Sequence, residues 1–265
     1  MDINKVYIRY VEVTDEINIV FRYVNQELNV DRDFSFCRKK GEPVFKLLLR
    51  IRSNVEKELE KSLNKSSKRG STAEQNSRAL PEICLLKVKK TDKYMLVANT
   101  HLYFHPDADH IRLLQIGFAL TYIEYLHKQS VKEHNITDPQ NIGLIFCGDF
   151  NSVPDCGVYK LMTEQFVDKQ FSDWCSNPDE AVVDVELAQP FKMFSACGKP
   201  RYTNYTALFS GCLDYIFCQQ DRFELLQCLP LPTEEQLTAH TAIPSICFPS
   251  DHIALVADLS FESVS

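Results

Sequence analysis

Polar residues with chemical potential stand at the ends of apolar stretches in this chain. They are Asn99 and His101 in VANTHL, Asp149 and Asn151 in FCGDFN, Asp214 in CLDYIF, and Asp251 with His252 in PSDHIAL. Each alone would serve as a turn or helix cap. Together they form a set of carboxylates, imidazoles and carboxamides, with no candidate serine or cysteine nucleophile beside a base. Such a set suits metal-assisted hydrolysis. Carboxylates and a carboxamide hold a hard Mg²⁺, a histidine–aspartate pair handles or stabilises charge, and amide donors grip a phosphate. Strand ends that converge on one edge make a site, because the loops there are free to carry polar groups.

The elements that must position these residues read as an α/β mixture. EICLLKVKK, the turn TDK and YMLVANTHL read as two paired strands. Asp109 can cap a helix through residues 110–129, with Ile111, Leu114, Phe118, Tyr122 and Leu126 on one side. GLIFCGDF reads as a strand buried on both faces. Gly157 to Phe166 reads as a short helix, and CLDYIFC, ELLQCLPLP and HIALVADLSF as further strands. Strands alternating with helices, followed by a run of strands, indicate an α/β sandwich. Upstream, residues 5–24 alternate as in a β-hairpin. Val44, Leu48, Ile51, Val55, Leu59 and Leu63 describe one helical stripe behind Pro43. Residues 64–77 form a polar linker, which divides the chain into an extension at 1–63 and a main part at 78–265.

Composition narrows the function classes. The 265 residues are 45% hydrophobic and 25% charged, an ordinary globular balance, with net charge −7. Overall charge therefore does not advertise nucleic-acid binding. From Arg38 to Arg69, however, 11 basic residues face 4 acidic ones, which reads as a solvated helix and linker or as a partner or nucleic-acid contact. The N-terminal MDINKVYIRYVEVTDE has neither the apolar core of a signal peptide nor the Arg/Ser-rich pattern of a transit peptide. No apolar run approaches the ~18 residues of a membrane span, so no membrane partner is expected. The 10 cysteines include no C-x-x-C pair, which argues against a zinc site and for buried, reduced thiols in a soluble intracellular protein. His105, Asp107, Asp109 and His110 read either as a metal cluster or as a polar loop and helix cap.

GDFN, NTHLYFHP, YTNY, LDYIF and SDH, in their chain positions, resemble the endonuclease/exonuclease/phosphatase superfamily. Within it the match is to the Mg²⁺-dependent deadenylase branch, and it covers residues 78–262. The resemblance implies a phosphodiesterase and 3′-exoribonuclease that releases AMP from 2′,5′-oligoadenylate or poly(A) tails. Its cofactor would be Mg²⁺, with Mn²⁺ able to substitute. Its partner would be single-stranded adenine-rich RNA or 2′,5′-oligoadenylate, and its location mitochondrial, with the cytoplasm as the alternative. By motif, Asp149 would act in proton transfer and hold metal, and Asn151 would orient the scissile phosphate beside that ion. His252 would stabilise the transition state, with Asp214 holding its tautomer. Asp251 would add a metal or hydrogen-bonding group. His101, Asn99 and Asn204 would contact substrate, and Pro106 and Phe209 would sandwich an adenine.

The family's first half is not readable here. A strand ending Leu-Gln-Glu, whose glutamate is the main Mg²⁺ ligand, has as its nearest string PEICLLKV, with Lys87 in the glutamate's place. The expected fold is therefore the second half of an αββα two-sheet sandwich, preceded by a hairpin and helix. Two expectations follow. The metal site is short of a carboxylate, which opens the alternative of a catalytically inactive adenine- or RNA-binding fragment. The inner sheet face lacks its partner sheet, so the N-terminal region, a protein partner or self-association would have to cover it.

Overall fold

The computed structural model describes residues 81–262 in full, together with the backbone of three short upstream strands, β1 (Lys5–Tyr7), β2 (Glu12–Val13) and β3 (Arg22–Val24). The expected helix at 44–63 and the linker at 64–77 lie outside the described residues. Then follow β4 (Glu82–Val88), β5 (Tyr94–His101), helix α1 (Asp109–Glu133), β6 (Ile142–Asp149) and helix α2 (Gly157–Glu164). Short strands β7 (Phe166–Val167), β8 (Leu187–Ala188) and β9 (Met193–Ser195) lead to the hairpin of β10 (Asn204–Tyr205) and β11 (Ser210–Gly211). The chain closes with β12 (Asp214–Gln219), β13 (Phe223–Cys228), helix α3 (Glu234–Thr238) and β14 (Ala257–Phe261).

The main sheet runs β2-β4-β5-β6-β12-β9. β5 and β6 are parallel and in register from Tyr94↔Ile142 to His101↔Asp149. A parallel pair needs a crossover, and α1 supplies it. β4 and β12 flank this pair antiparallel, with Asp214 opposite Asp149. The N-terminal strands β1 and β3 pair antiparallel, Lys5↔Val24 to Tyr7↔Arg22.

One face of the sheet is packed by helices. Leu96 and Ala98 of β5, Leu144 and Phe146 of β6, and Tyr215 and Phe217 of β12 alternate onto that face. They meet Leu113, Ile116, Leu120 and Ile123 of α1 and Leu161 and Met162 of α2. Phe150 wedges edge-on against Phe146 and Phe217 at ring distances of 5.3 and 5.2 Å. This layer holds the strand ends in place from behind.

Three expectations need correction here. The buried stripe of α1 runs through Leu113, Ile116, Leu120 and Ile123, whereas Leu114, Phe118, Tyr122 and Leu126 are only half-buried. The helix is apolar on several sides, so spacing alone admits more than one stripe. Asp109 does not cap α1: Ala108 is the cap residue, and the Asp109 carboxylate binds Arg112. β6 is not buried on both faces either. Its helix side is closed, but Ile145 and Cys147 on the other side remain half-buried.

That second face is closed only at one end. There Phe223, Leu259 and Phe261 of β13 and β14 pack on Cys84, Leu86, Met95 and Cys218. The cover thus comes in part from the C-terminal strands, a source the sequence did not suggest. Toward the opposite edge the face becomes polar, with Asn99 exposed beside Cys147. None of the nine described cysteines forms a disulfide. Among the described residues no helix is long and apolar enough to cross a membrane.

Two core histidines couple the fold to pH. Burial holds His110 and His127 below the ordinary imidazole value of 6.5. Glu180 and Asp109 pull His110 upward and Arg112 lowers it; Arg222 and Lys128 lower His127 and Glu124 raises it. A histidine depressed in the folded state binds its proton more readily when unfolded. Its contribution is complete above the unfolded value and is lost as pH falls through the folded one. The melting temperature should therefore drop as pH falls below the ordinary imidazole value of 6.5, and His127→Gln should flatten the curve. His252, shifted the other way, opposes part of this slope. Thermal melts at stepped pH check the sign.

Candidate active site

The register of the main sheet assembles the site. His101 ends β5, Asp149 ends β6, and Asp214 opens β12 opposite Asp149, so all three lie at one edge on the open face. Gly148 permits the close approach of β5 and β6, with φ +136° and the Thr100 carbonyl oxygen 1.9 Å from where a Cβ would stand. The chain then turns sharply. Asn151 adopts φ 46° and donates its backbone N–H to Asp149 Oδ1 at 2.8 Å. Its side-chain Nδ2 donates to Leu102 O at 2.9 Å, and Leu102 N donates to Asp149 O at 2.9 Å.

His252 reaches the same point from the far end of the sequence. Its Nδ1 lies 2.8 Å from Asp214 Oδ2, while Nε2 lies 3.8 Å from Asp149 Oδ2. His101 Nε2 stands 3.4 Å from the same Asp149 oxygen. The segment bearing His252 is held by backbone bonds to the YTNY stretch: Ile253 N to Thr203 O at 2.7 Å and Tyr205 N to Asp251 O at 3.1 Å. Asn204 is buried there, bridges His252 through the backbone, and reaches Asp251 Oδ2 at 3.5 Å through Nδ2.

Asp149, Asn151, Asp214, His252 and His101 are thus brought together. Asp251 and Asn204 pair with each other next to His252, and Asp251 stands outside the Asp149–Asp214–His252 group. Asn99 sits one same-face step below His101 on β5, opposite Cys147. Pro106 and Phe209 are exposed, on the loop between β5 and α1 and on the β10–β11 turn. His105, Asp107, Asp109 and His110 scatter. His105 Nδ1 accepts from Asp107 N, Asp109 binds Arg112, and His110 Nδ1 meets Ser176 Oγ.

Thr203 was not singled out by the sequence reading, although it lies inside YTNY. Its fully buried hydroxyl donates to Asp214 Oδ2 at 2.6 Å and accepts from Leu213 N at 2.9 Å and Asp214 N at 3.0 Å. A hydroxyl has one donor and two acceptor positions, and all are used. Thr203 therefore fixes the carboxylate that fixes His252. Thr203→Val keeps the shape and strands two backbone N–H groups, so it should cost about 1–3 kcal/mol in urea unfolding. Glu82 was also passed over. β4 runs so that Lys87 meets Tyr94 at the far end and Glu82 stands opposite Asn99 at the site edge.

The carboxylates and imidazoles of the edge shift one another's proton affinity. Burial pushes the Asp149 carboxyl up; the Asn151 N–H opposes this, Asp214 raises it further, and His101 and His252 lower it. Burial alone would lower His252, but the hydrogen bond and charge of Asp214, with Asp149 and Asp251, outweigh it and raise the imidazole. Asp149, Asp214 and His252 offer ligand atoms within 4.8 Å of one another. Asp214 Oδ2 already serves His252 and Thr203. A hard divalent ion takes few protein oxygens and keeps its waters. Asp149 and the Asn151 amide oxygen fit that demand and would hold it, while His252 Nε2 is left outside the Asp214 hydrogen bond. A second acidic group, Asp109–Cys156–Asp173, is occupied otherwise: Arg112 binds Asp109 at 2.5 Å and Gly157 N donates to Asp173 Oδ2 at 2.6 Å.

The chain is similar to several known proteins. The sequence pattern of the Endonuclease/Exonuclease/phosphatase family matches residues 94–252. Human 2′,5′-phosphodiesterase 12 is 43% identical over 188 residues, covering 71% of this chain and 30% of that protein. The CCR4-Not complex 3′-5′-exoribonuclease subunit Ccr4 of Yarrowia lipolytica is 28% identical over 196 residues, covering 68% of this chain and 28% of its own length. The crystal structure of ANGEL2, a 2′,3′-cyclic phosphatase, in complex with adenosine-2′,3′-vanadate matches at TM-score 0.53. It is 24% identical, and the match covers 67% of this chain and 60% of that one. This last likeness speaks to the fold alone. The chain spans about 30% of the length of the curated 2′,5′-phosphodiesterase relatives it matches. A match over more than half of its residues, with the same mixed α/β layers, places the chain in the endonuclease/exonuclease/phosphatase family.

Proposed function

We propose that this chain carries the strand-edge part of a centre that hydrolyses phosphodiesters in adenine-rich RNA or 2′,5′-oligoadenylate, releasing AMP. The observation that supports it best is the Asp214–His252–Asp149 array. Asp214 accepts from Nδ1, which leaves Nε2 facing the region beside Asp149. Nε2–H then donates to a phosphoryl oxygen as negative charge builds there, and Asp214 stabilises the imidazolium. Asp149 orients a water opposite the leaving oxygen and accepts its proton as the new P–O bond forms; the P–O bond to the leaving sugar oxygen breaks, and that oxygen takes a proton from solvent. Asn151, whose Nδ2 is fixed by Leu102 O, orients the scissile phosphate by offering its amide oxygen to the ion beside it. His101 flanks Asp149 on the other side. A Mg²⁺ or Mn²⁺ ion, when bound, neutralises phosphate charge and lowers the pKa of a bound water. The adenine assignment draws on Phe209, 45% exposed, and on Pro106, two apolar surfaces on loops around the edge.

A second reading, binding of adenine-rich RNA without hydrolysis, has one observation in its favour. Asp149 is the one carboxylate of the central group not engaged by both Thr203 and His252. Incubation with Mg²⁺ and 2′,5′- or 3′,5′-linked oligoadenylate separates the two. AMP release that disappears in Asp149→Ala supports hydrolysis; retained oligoadenylate binding without release supports the second reading.

A further inference from the structure

The structure assigns to Arg112 and Gln115 of α1 the role of positioning residues for base recognition. They shape the loop that joins β5 to α1. The inference rests on the reading above, in which Pro106 of this loop contacts adenine.

Both side chains are almost completely buried, at 3% and 4% exposure. Their polar atoms are directed at the loop backbone. Arg112 Nη1 donates to Tyr103 O at 3.0 Å and to His105 O at 2.6 Å. Nη2 donates to Pro106 O at 3.3 Å and to Asp109 Oδ1 at 2.5 Å. Gln115 Oε1 accepts from Tyr103 N at 3.0 Å. Leu102, at the start of the loop, is bonded through its N–H to Asp149 O and through its carbonyl to Asn151 Nδ2. The loop is therefore tied to the catalytic edge at one end and to α1 along its length.

The side chains of the loop show the opposite pattern. Phe104 is 65% exposed, and His105 and Pro106 are exposed as well. A surface loop ordinarily leaves its carbonyls to water, at no cost. Here a buried cation binds them instead, and its Nε–H remains without a partner. Burying a charge to satisfy groups that water would satisfy is a poor route to stability. It does fix shape: a guanidinium fork meets several carbonyls in one plane, which an ammonium cannot do. The product is a rigid loop with apolar side chains held outward, and such preorganisation lowers the ordering cost of binding. Stacking on a fixed ring or ring edge favours the larger purine surface.

The test is equilibrium binding by the full chain, in EDTA to prevent hydrolysis. The probes are fluorescently labelled 2′,5′-linked tetraadenylate and 2′,5′-linked tetrauridylate. Arg112→Lys keeps the charge facing Asp109 and loses the fork; Gln115→Leu keeps the volume and frees Tyr103 N. Each should weaken adenylate binding about tenfold, the scale of one lost base stack, and change uridylate binding less than about twofold. A merely structural role would weaken both probes together. Unchanged adenine preference in a folded variant, when the wild-type chain shows that preference, overturns this inference alone. Absence of preference in the wild-type chain overturns the adenine reading and this inference with it. Should Arg112→Lys fail to fold, Gln115→Leu decides.

Discussion

Asp149→Asn is expected to lower AMP release from oligoadenylate by about 10²–10⁴-fold while leaving the melting temperature unchanged or higher. The two halves of that expectation have one cause. Asp149 is buried beside Asp214, and burial makes its charged form costly. The amide keeps an acceptor for the Asn151 N–H, which now reaches Asp149 Oδ1 at 2.8 Å, and removes the charge. On the reading proposed above, function loses the group that would orient water and hold a cation, while the fold loses an unfavourable anion. The fall in rate corresponds to about 3–5 kcal/mol of transition-state stabilisation. Single-turnover kinetics with saturating Mg²⁺ give the first quantity and melts in EDTA the second. A variant that loses rate and stability in parallel would show that Asp149 is a structural residue.

Gly148→Ala is expected to have the largest effect on stability of any substitution at the edge, about 3–5 kcal/mol. A Cβ there would stand 1.9 Å from Thr100 O, and the residue sits at φ +136°. The three nearest atoms are all backbone of Thr100, paired with Gly148 in the β5–β6 ladder, so none can rotate away. The strands would have to separate where His101 and Asp149 are paired. Gly198→Ala is the control: its φ of +65° is also left-handed, but nothing lies within 4 Å of the added carbon. That change should cost about 1 kcal/mol, the usual price of a left-handed alanine. Urea unfolding of the two variants separates collision from conformational strain.

The residues of the edge were readable because each ends an apolar run, and strand ends are where polar groups escape burial. His101, Asp149 and Asp214 follow from that rule alone. Thr203 did not, because a buried hydroxyl in YTNY looks like any strand threonine until Asp214 is placed beside it. Glu82 was missed because no local pattern states which end of β4 faces the site; pairing with β5 decides it. The α1 stripe was misplaced because Leu113, Leu114, Ile116 and Phe118 are all apolar, and only the sheet selects among them. The role of β13 and β14 as a partial cover depends on packing between distant segments, which periodicity does not encode.

The parallel pairing of β5 with β6 also governs the order of events in folding. Asn151 Nδ2 and Leu102 O, which join the two strand ends, are 49 residues apart in sequence. The antiparallel β4–β5 hairpin closes over a short turn and can form early, whereas the β5–β6 ladder must wait for α1 to fold back across the sheet. Loop-closure entropy is spent before the long-range contacts return it. This end of the sheet therefore ranks among the late structures to mature, and the transition state should be insensitive to substitutions at Asp149 and Asn151 while responding to those in β4 and β5.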